Sequence, residues 1–405
     1  MKKKDYQLGV GAVNVSEKSK SYVLDVLSTN RLSYGPYSRK FESAMAKAHD
    51  CVAAVFMNSG TSALQVAVMA LRERYRWQND DEIICPAITF VASSNVILQA
   101  NLKPVFVDVH PLYYNIDPTK IEEAITPRTR AIMVVHLFGQ PADMDSIMAI
   151  AHKHGLRVIE DSCETMFARY NGKSVGSFGD VGCFSTYACH IICTGVGGLA
   201  MTHDPEMGVL LRSIANHGRD SIYMSIDDDK TGDIEKLGMI MERRFNFIRM
   251  GYSYRATEME AALGLAQIED IEKNIPVRRE FATYLLAKLA VWEKKEYIQL
   301  PVTMRNTDHS FMMFPIVVKS KAFKRDELTL FLEENNIETR YMLPLLNQPF
   351  YKEMYGEDIE EKFPVAKWIN NNGFYIGCHP DLIQEELEYI VAKFEEFFAA
   401  FENRM

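Results

Sequence analysis

Three short stretches of this chain bring together residue types that could do chemistry. The first, Asn58-Ser59-Gly60-Thr61-Ser62, joins an apolar run to an amphipathic one through a glycine and several hydroxyls. A strand–helix junction of that kind offers backbone N–H groups, a helix dipole and O–H donors to a phosphate. The second, Glu160-Asp161-Ser162-Cys163-Glu164, follows a short apolar run and places carboxylates at its end. A carboxylate there can pair with a protonated ring nitrogen, which lets the ring draw electrons. The third centres on His190, five residues after Ser185 and just ahead of Gly195, Gly197 and Gly198. An imidazole is a competent proton carrier near neutral pH. Phe90, closing Pro86-Ala87-Ile88-Thr89-Phe90, could stack on a planar ring. Each feature alone also has a plain structural reading. Serine and threonine cap many helices, a lone Asp often caps a loop, Phe at a helix start is mostly core, and a lone His is mostly a satisfied polar group. Cys189, His190 and Cys193 have metal-ligand chemistry, but they would need a fourth ligand from elsewhere. No second cysteine pair has metal spacing, so no metal is expected.

The elements that must position these residues follow from the hydrophobic pattern. From residue 50 to about 200, short apolar runs alternate with helical stretches, which predicts an α/β sheet. Strands are expected over 51–57, 82–85, 104–109, 131–137, 157–159, 181–185 and 199–202. Helices are expected over 61–75, 90–99, 144–154 (ended by Gly155), 208–217 and 255–275. The strand at 157–159 delivers Glu160 and Asp161 to its C-terminal end, where open α/β sheets place ligands. Residues 220–245 are charged and poorly periodic, and read as an exposed insertion or loop. From about residue 280 the pattern changes to helix, strand (314–318), helix (325–335) and closing helix (384–401), which suggests a small α+β domain. The expected division is a large domain over 1–275 and a smaller one over 276–405.

A chain of 405 residues can bury more than one core. Its net charge of −9 argues against nonspecific nucleic-acid binding, which needs basic surface. The basic start, Met1-Lys2-Lys3-Lys4, has no apolar core behind it as a signal peptide would. No run approaches the roughly 18 apolar residues of a membrane helix. Seven cysteines, an odd number in a large chain, form no disulfide framework, so a reduced cytoplasm is expected.

The order and spacing of the three stretches resemble the DegT/DnrJ/EryC1/StrS sugar aminotransferases, pyridoxal-phosphate enzymes of fold type I, across nearly the whole chain. Further matches are Leu32-Ser33-Tyr34-Gly35-Pro36, Pro104-Val105-Phe106-Val107-Asp108-Val109 and Val175-Gly176-Ser177-Phe178-Gly179-Asp180. Gly251-Tyr252-Ser253-Tyr254-Arg255, Ala261-Ala262-Leu263-Gly264 and Phe363-Pro364-Val365-Ala366 also fit. The resemblance implies an aspartate-aminotransferase-like large domain with a mostly parallel sheet, plus a smaller C-terminal α+β domain. It implies that Gly60, Thr61, Ser62 and Ser185 hold the cofactor phosphate and that Phe90 stacks on the pyridine ring. Asp161 would pair with the ring nitrogen and Glu164 would lie beside the cofactor. It also implies a homodimer with shared active sites, in which the loop from Gly251 to Arg255, with Ser253, reaches into the neighbour. Three departures stand out: His190 replaces the family's lysine, Val196 a glutamate, and Ser253 an asparagine that reaches the partner's phosphate.

A histidine in the lysine's place resembles a small branch, the nucleotide-sugar 3-dehydratases, among them GDP-4-keto-6-deoxymannose 3-dehydratase. His217-Gly218-Arg219-Asp220 also looks like this branch. The chemistry it implies uses pyridoxamine 5′-phosphate (or pyridoxal 5′-phosphate) held without a covalent tether. The substrate would be a nucleotide-linked 4-keto-6-deoxy sugar that loses its C3 hydroxyl, with His190 as acid and base. An amino donor such as glutamate would then regenerate the pyridoxamine form. Some relatives carry a four-cysteine iron–sulfur site after the Gly-Arg-Asp segment, but residues 220–377 contain no cysteine, so no cluster is expected. Position suggests His217, Arg219, Arg340 and Tyr341 as sugar-pocket candidates. One competing reading is an aminotransferase with an unorthodox base, disfavoured because no lysine lies between Lys173 and Lys230. Another is a catalytically silent relative that only binds cofactor, for which Val196 and Ser253 speak.

Overall fold

In the computed structural model, which describes residues 3–221 and 230–403, the chain opens with two helices that carried no sequence expectation, α1 (Glu17–Ser28) and α2 (Pro36–Ala48). Strands β1 (Ala53–Met57), β2 (Glu82–Pro86), β3 (Lys103–Val107), β4 (Thr129–Val135) and β5 (Arg157–Asp161) follow. Helices α3 (Gly60–Tyr75), α4 (Val91–Gln99) and α5 (Met144–His154) connect them. Two-residue strands β6 (Arg169–Tyr170) and β7 (Lys173–Ser174) precede β8 (Val181–Ser185) and β9 (Gly198–Thr202). The central sheet runs β1-β9-β8-β5-β4-β2-β3. Only β9 is antiparallel to its neighbours, β1 and β8. The strands are Val- and Ile-rich and buried on both faces, as a parallel sheet between helical layers requires. Helix α3 is buried along most of its length, which fits its apolar residues on nearly every face.

This topology decides where the site falls. Strands β1, β2, β4, β5 and β8 all point the same way, so the turns after Met57, Pro86, Val135, Asp161 and Ser185 open on one edge of the sheet. That edge is the carboxyl end, where α/β sheets bind ligands.

Beyond β9 lie α6 (Pro205–Ala215) and α7 (Ile234–Arg243). Of the expected insertion at 220–245, residues 222–229 lie outside the described residues. The remainder includes helix α7, which begins at the cap Asp233 and leaves Ile234 and Met241 exposed. The single helix expected over 255–275 is two helices, α8 (Glu258–Ile268) and the start of α9 (Ile271–Lys294). Residues 255–257 precede the first, which starts at a capping box of Thr257 and Glu260.

A second, four-stranded sheet runs β10 (Ile298–Gln299), β12 (Met313–Val318), β14 (Gly373–Gly377) and β13 (Arg340–Tyr341). The pair β11 (Thr307–Asp308) joins β6 instead. Helices α9, α10 (Arg325–Glu334) and α13 (Gln384–Glu402) contribute to the apolar cluster beside this sheet, with Leu285, Leu328, Phe374 and Phe394 fully buried. Helices α11 (Pro349–Tyr355) and α12 (Pro364–Asn372) return the chain toward the larger core. Leu8 also belongs to the second cluster, tied to Asn336 and Glu338 by backbone hydrogen bonds. Among the described residues, no helix is long and apolar enough to cross a membrane.

Candidate active site

The carboxyl edge of the central sheet opens into a cleft of about 510 Å³. One end is the start of α3. Ser59 caps that helix, its Oγ accepting from Ser62 N–H at 3.0 Å, and Ser62 Oγ donates to Asn58 Oδ1 at 2.7 Å. Gly60 and Thr61 line the cleft, whereas Ser62 is spent on the cap and does not. A Cβ on Gly60 would stand 2.8 Å from both Cys163 Sγ and Ser185 Cβ, and one on Gly198 would meet Gly60 N at 2.4 Å. Only glycines let this helix start press against Ser185, so backbone N–H groups and a hydroxyl share one small cradle.

Asp161 ends β5 at the floor, 4% exposed. Its Oδ2 accepts from Ser93 Oγ at 2.6 Å and its Oδ1 from Cys163 N–H at 3.1 Å. These donors orient the carboxylate without neutralising it. Phe90 also lines the cleft and is 57% exposed, an unusual solvent share for a phenyl ring that caps a buried helix.

His190 sits in the loop between β8 and β9. That loop is closed by Thr194 N–H to Thr186 O at 2.8 Å and by their paired hydroxyls at 2.6 Å. His190 Nδ1 lies 3.1 Å from Ser185 O. A carbonyl only accepts, so Nδ1 carries the hydrogen and Nε2 keeps its lone pair. Burial pushes the imidazole down to about 4, partly offset by the carbonyls of Ser185 and Cys163 and reinforced by the Arg278 charge. It is a neutral base at physiological pH.

Glu164, half-buried on the loop after β5, has the opposite shift. Burial raises its carboxyl to about 8, against a single long bond from Phe138 N–H at 3.3 Å.

The other sequence candidates divide. Arg340 lines the cleft, its guanidinium held by Glu338. Tyr341, its neighbour on β13, turns away: its hydroxyl meets Asp326 at 3.2 Å and Arg325 stacks on its ring. Ser253 and His217 lie outside the cleft, joined through Arg255 Nη2 at 2.9 and 3.2 Å. Arg219 lies outside it too, over the rings of Phe245 and Phe247. Val196 lines the mouth and is exposed. Sequence reasoning did not single out Tyr187, Met312, Met313, Leu343 or Tyr375, which also line the cleft. Tyr187 sat within the His190 segment and could have been found. The others come from distant segments, Met313 and Tyr375 on strands and Met312 and Leu343 beside them, with no local signal.

The donor set suits a phosphorylated pyridine. It has an N–H and hydroxyl cradle at one end, an exposed aromatic face, and a buried carboxylate at the floor that could meet a ring nitrogen. Among the described residues, the cleft lining contains no lysine.

This sheet and site define a pyridoxal-phosphate enzyme of fold type I. The chain belongs to the DegT/DnrJ/EryC1/StrS aminotransferase family, which it matches over residues 14–395. It is therefore an enzyme of the pyridoxal-phosphate-dependent sugar aminotransferase family. It is 33% identical over 379 residues to lipopolysaccharide biosynthesis protein RfbH of Salmonella typhimurium, covering 91% of this chain and 86% of that one. It is 30% identical to GDP-perosamine synthase of Caulobacter vibrioides, covering 96% and 98%. Among solved structures, GDP-4-keto-6-deoxy-D-mannose-3-dehydratase of E. coli with bound hydrated PLP superposes with a TM-score of 0.83 at 27% identity, covering 96% of this chain and 99% of that one.

Proposed function

We propose that the chain is a pyridoxamine-phosphate-dependent nucleotide-sugar 3-dehydratase, acting on a 4-keto-6-deoxy sugar nucleotide. One observation carries the reading: among the described residues, the cleft lining holds His190 and no lysine. Without a lysine amine lining the cleft, the cofactor would be held by contacts alone and the resident base would be an imidazole. The likeness to a dehydratase solved with hydrated PLP supports the same choice.

When bound, pyridoxamine phosphate supplies an amine that can meet a ketone and a ring that can take up electrons. Gly60, Thr61 and Ser185 would hold its phosphate, and Phe90 would cover a ring face. Asp161 would keep the ring nitrogen protonated, its own geometry fixed by Ser93 and Cys163. His190 Nε2 takes a proton from carbon, while the Nδ1 bond to Ser185 O keeps the imidazole aimed and stabilises the imidazolium that forms. General acid–base help of this kind contributes about 10²–10⁴ in rate.

In this reading an amino donor such as glutamate restores the pyridoxamine form. The enzyme works as a homodimer: Ser253, His217 and Arg255 cluster outside this chain's own cleft, as residues serving a second copy would. The part over 1–275 would bind cofactor, and the part over 276–405 adds Met312, Met313, Arg340 and Tyr375 to the cleft wall. Seven free cysteines suit a reducing compartment such as the cytoplasm.

The test is to incubate the purified protein with pyridoxamine phosphate, glutamate and a panel of 4-keto-6-deoxy sugar nucleotides, then weigh the products. The expected outcome is a deoxygenated ketone, with no cofactor attached to the polypeptide after borohydride reduction. A gained amine would instead assign amino transfer, the activity named in the perosamine synthase relative. An unchanged sugar would assign a silent cofactor binder.

A further inference from the structure

Glu164 shares the cleft with His190 but plays no part in the chemistry derived above. Its surroundings are unusual for a carboxylate. The loop that carries it is locked from behind, where Thr165 Oγ1 donates to His136 O at 2.8 Å and accepts from Gly139 N–H at 3.1 Å. The side chain is thereby held toward a cleft wall rich in apolar groups, among them Val10, Leu137, Met312 and Met313. Among the described residues, no lysine, arginine or histidine forms an ion pair with it, and its one hydrogen bond is the long one from Phe138 N–H. A carboxyl half-buried beside apolar groups, with no cation and one N–H donor, holds its proton more tightly than a free one.

The groups around it agree. Asp161, at the end of β5 just before this loop, adds negative charge, which disfavours a second anion. Tyr375 on β14 lines the cleft as a neutral phenol, pushed up chiefly by burial. Arg340 on β13 is the cation lining the cleft, and it is engaged by Glu338. His190 faces the cleft as a neutral ring, and the thiols of Cys163 and Cys189 are pushed up by burial. One cleft therefore holds a base without its proton and an acid with one, the arrangement by which an enzyme runs both halves of a proton transfer at one pH.

We propose that Glu164 acts as a neutral carboxylic acid and supplies the proton that leaves with the C3 oxygen as water, a role that rests on the dehydratase reading. The step balances within the two residues. The C3–O bond breaks with its electron pair on oxygen, and the Glu164 proton completes the water. His190 Nε2 takes the carbon-bound proton, and the pair of that C–H bond shifts through the conjugated C=N bond to form a new double bond at C3. No external oxidant or reductant enters. Glu164 is left as carboxylate and His190 as imidazolium, opposite charges in one cleft, and solvent returns one proton and removes the other.

Two measurements test this. The first needs no activity: infrared difference spectra of the cofactor-free protein, labelled with ¹³C-carboxyl glutamate. A protonated-carboxyl band at pH 7 is expected, lost as pH rises through about 8 and missing from Glu164→Gln. Absence of that band overturns the proposal. The second is a single-turnover dehydration pH profile of the pyridoxamine-loaded protein. Wild type should slow above about pH 8, while Glu164→Gln should lose that alkaline limb and run about 10²–10⁴-fold slower. Glu164→Asp should recover part of the rate, which separates acid chemistry from mere shape. A Glu164→Gln rate equal to wild type overturns the proposal. A wild-type protein that shows the band but never deoxygenates a sugar overturns the dehydratase reading itself, and the catalytic role with it.

Discussion

In the proposed reaction His190 would do two things that a lysine at the same place could not do together: it would leave the cofactor untethered, and it would offer a base that is already neutral. The second property depends on burial, which lowers the imidazole to about 4, and on the Ser185 carbonyl, which selects the tautomer. His190→Asn keeps a polar side chain but removes the proton acceptor. Dehydration should fall by about 10²–10⁴-fold, whereas pyridoxamine phosphate affinity, measured by fluorescence titration, should change little because the phosphate cradle and Asp161 are untouched. A large loss of affinity would place His190 among the binding groups instead. At this scale the sequence was informative, since residue identity alone distinguishes an imidazole from an amine. It did not reveal that Glu164 lacks a cation, because pairing is set by side chains from other strands.

The elements carry the site through a few buried polar ties. Glu258, 1% exposed at the start of α8, accepts N–H bonds from Gly35 at 2.6 Å, Tyr37 at 2.9 Å and Ser38 at 2.8 Å. One carboxylate thus satisfies the free donors at the start of α2 and staples it to α8. Glu258→Gln keeps the shape but loses charge assistance and turns one acceptor into a donor. It should lower unfolding stability by about 1.5–3 kcal/mol, read from urea denaturation at neutral pH. Helix α5 was readable from sequence because its stop signals are local: Asp143 caps its start and Gly155, at φ +65°, ends it. The break between α8 and α9 was not. Apolar spacing continues across Glu269 and Asp270, and a 3.6-residue period does not report where two helices change direction.

The whole molecule carries its histidines as an acid liability. His49 and His309 are buried, and burial lowers each to about 3 from 6.5, while His190 falls to about 4. The unfolded chain binds protons at these sites below about pH 6.5, while the folded chain does so only near pH 3–4. Their contribution is therefore full above the unfolded value and is lost as pH falls through the folded ones. Each group in this window contributes a slope of about 1.4 kcal/mol per pH unit. Stability should fall steeply between pH 6 and 4, and His49→Gln, compared across the same urea series, should flatten the fall by about one proton. An unchanged slope would show that His49 protonates in the folded chain.

The amino-acid sequence by itself determined that strands and helices alternate, and hence that the turns after parallel strands open on one edge. It also determined which side chains those turns carry. Both follow from local rules, the two periodicities and the chemistry of single residues. Only the tertiary structure decided membership of the cleft. On β13, Arg340 enters it while Tyr341 turns to Asp326, because neighbouring residues of a strand face opposite ways and packing alone chooses which face is inward. Ser253 and His217, adjacent to the site by motif, stand outside it, while Tyr375, far along the chain, comes in. Contacts between remote segments depend on how two cores dock, and no local pattern encodes that.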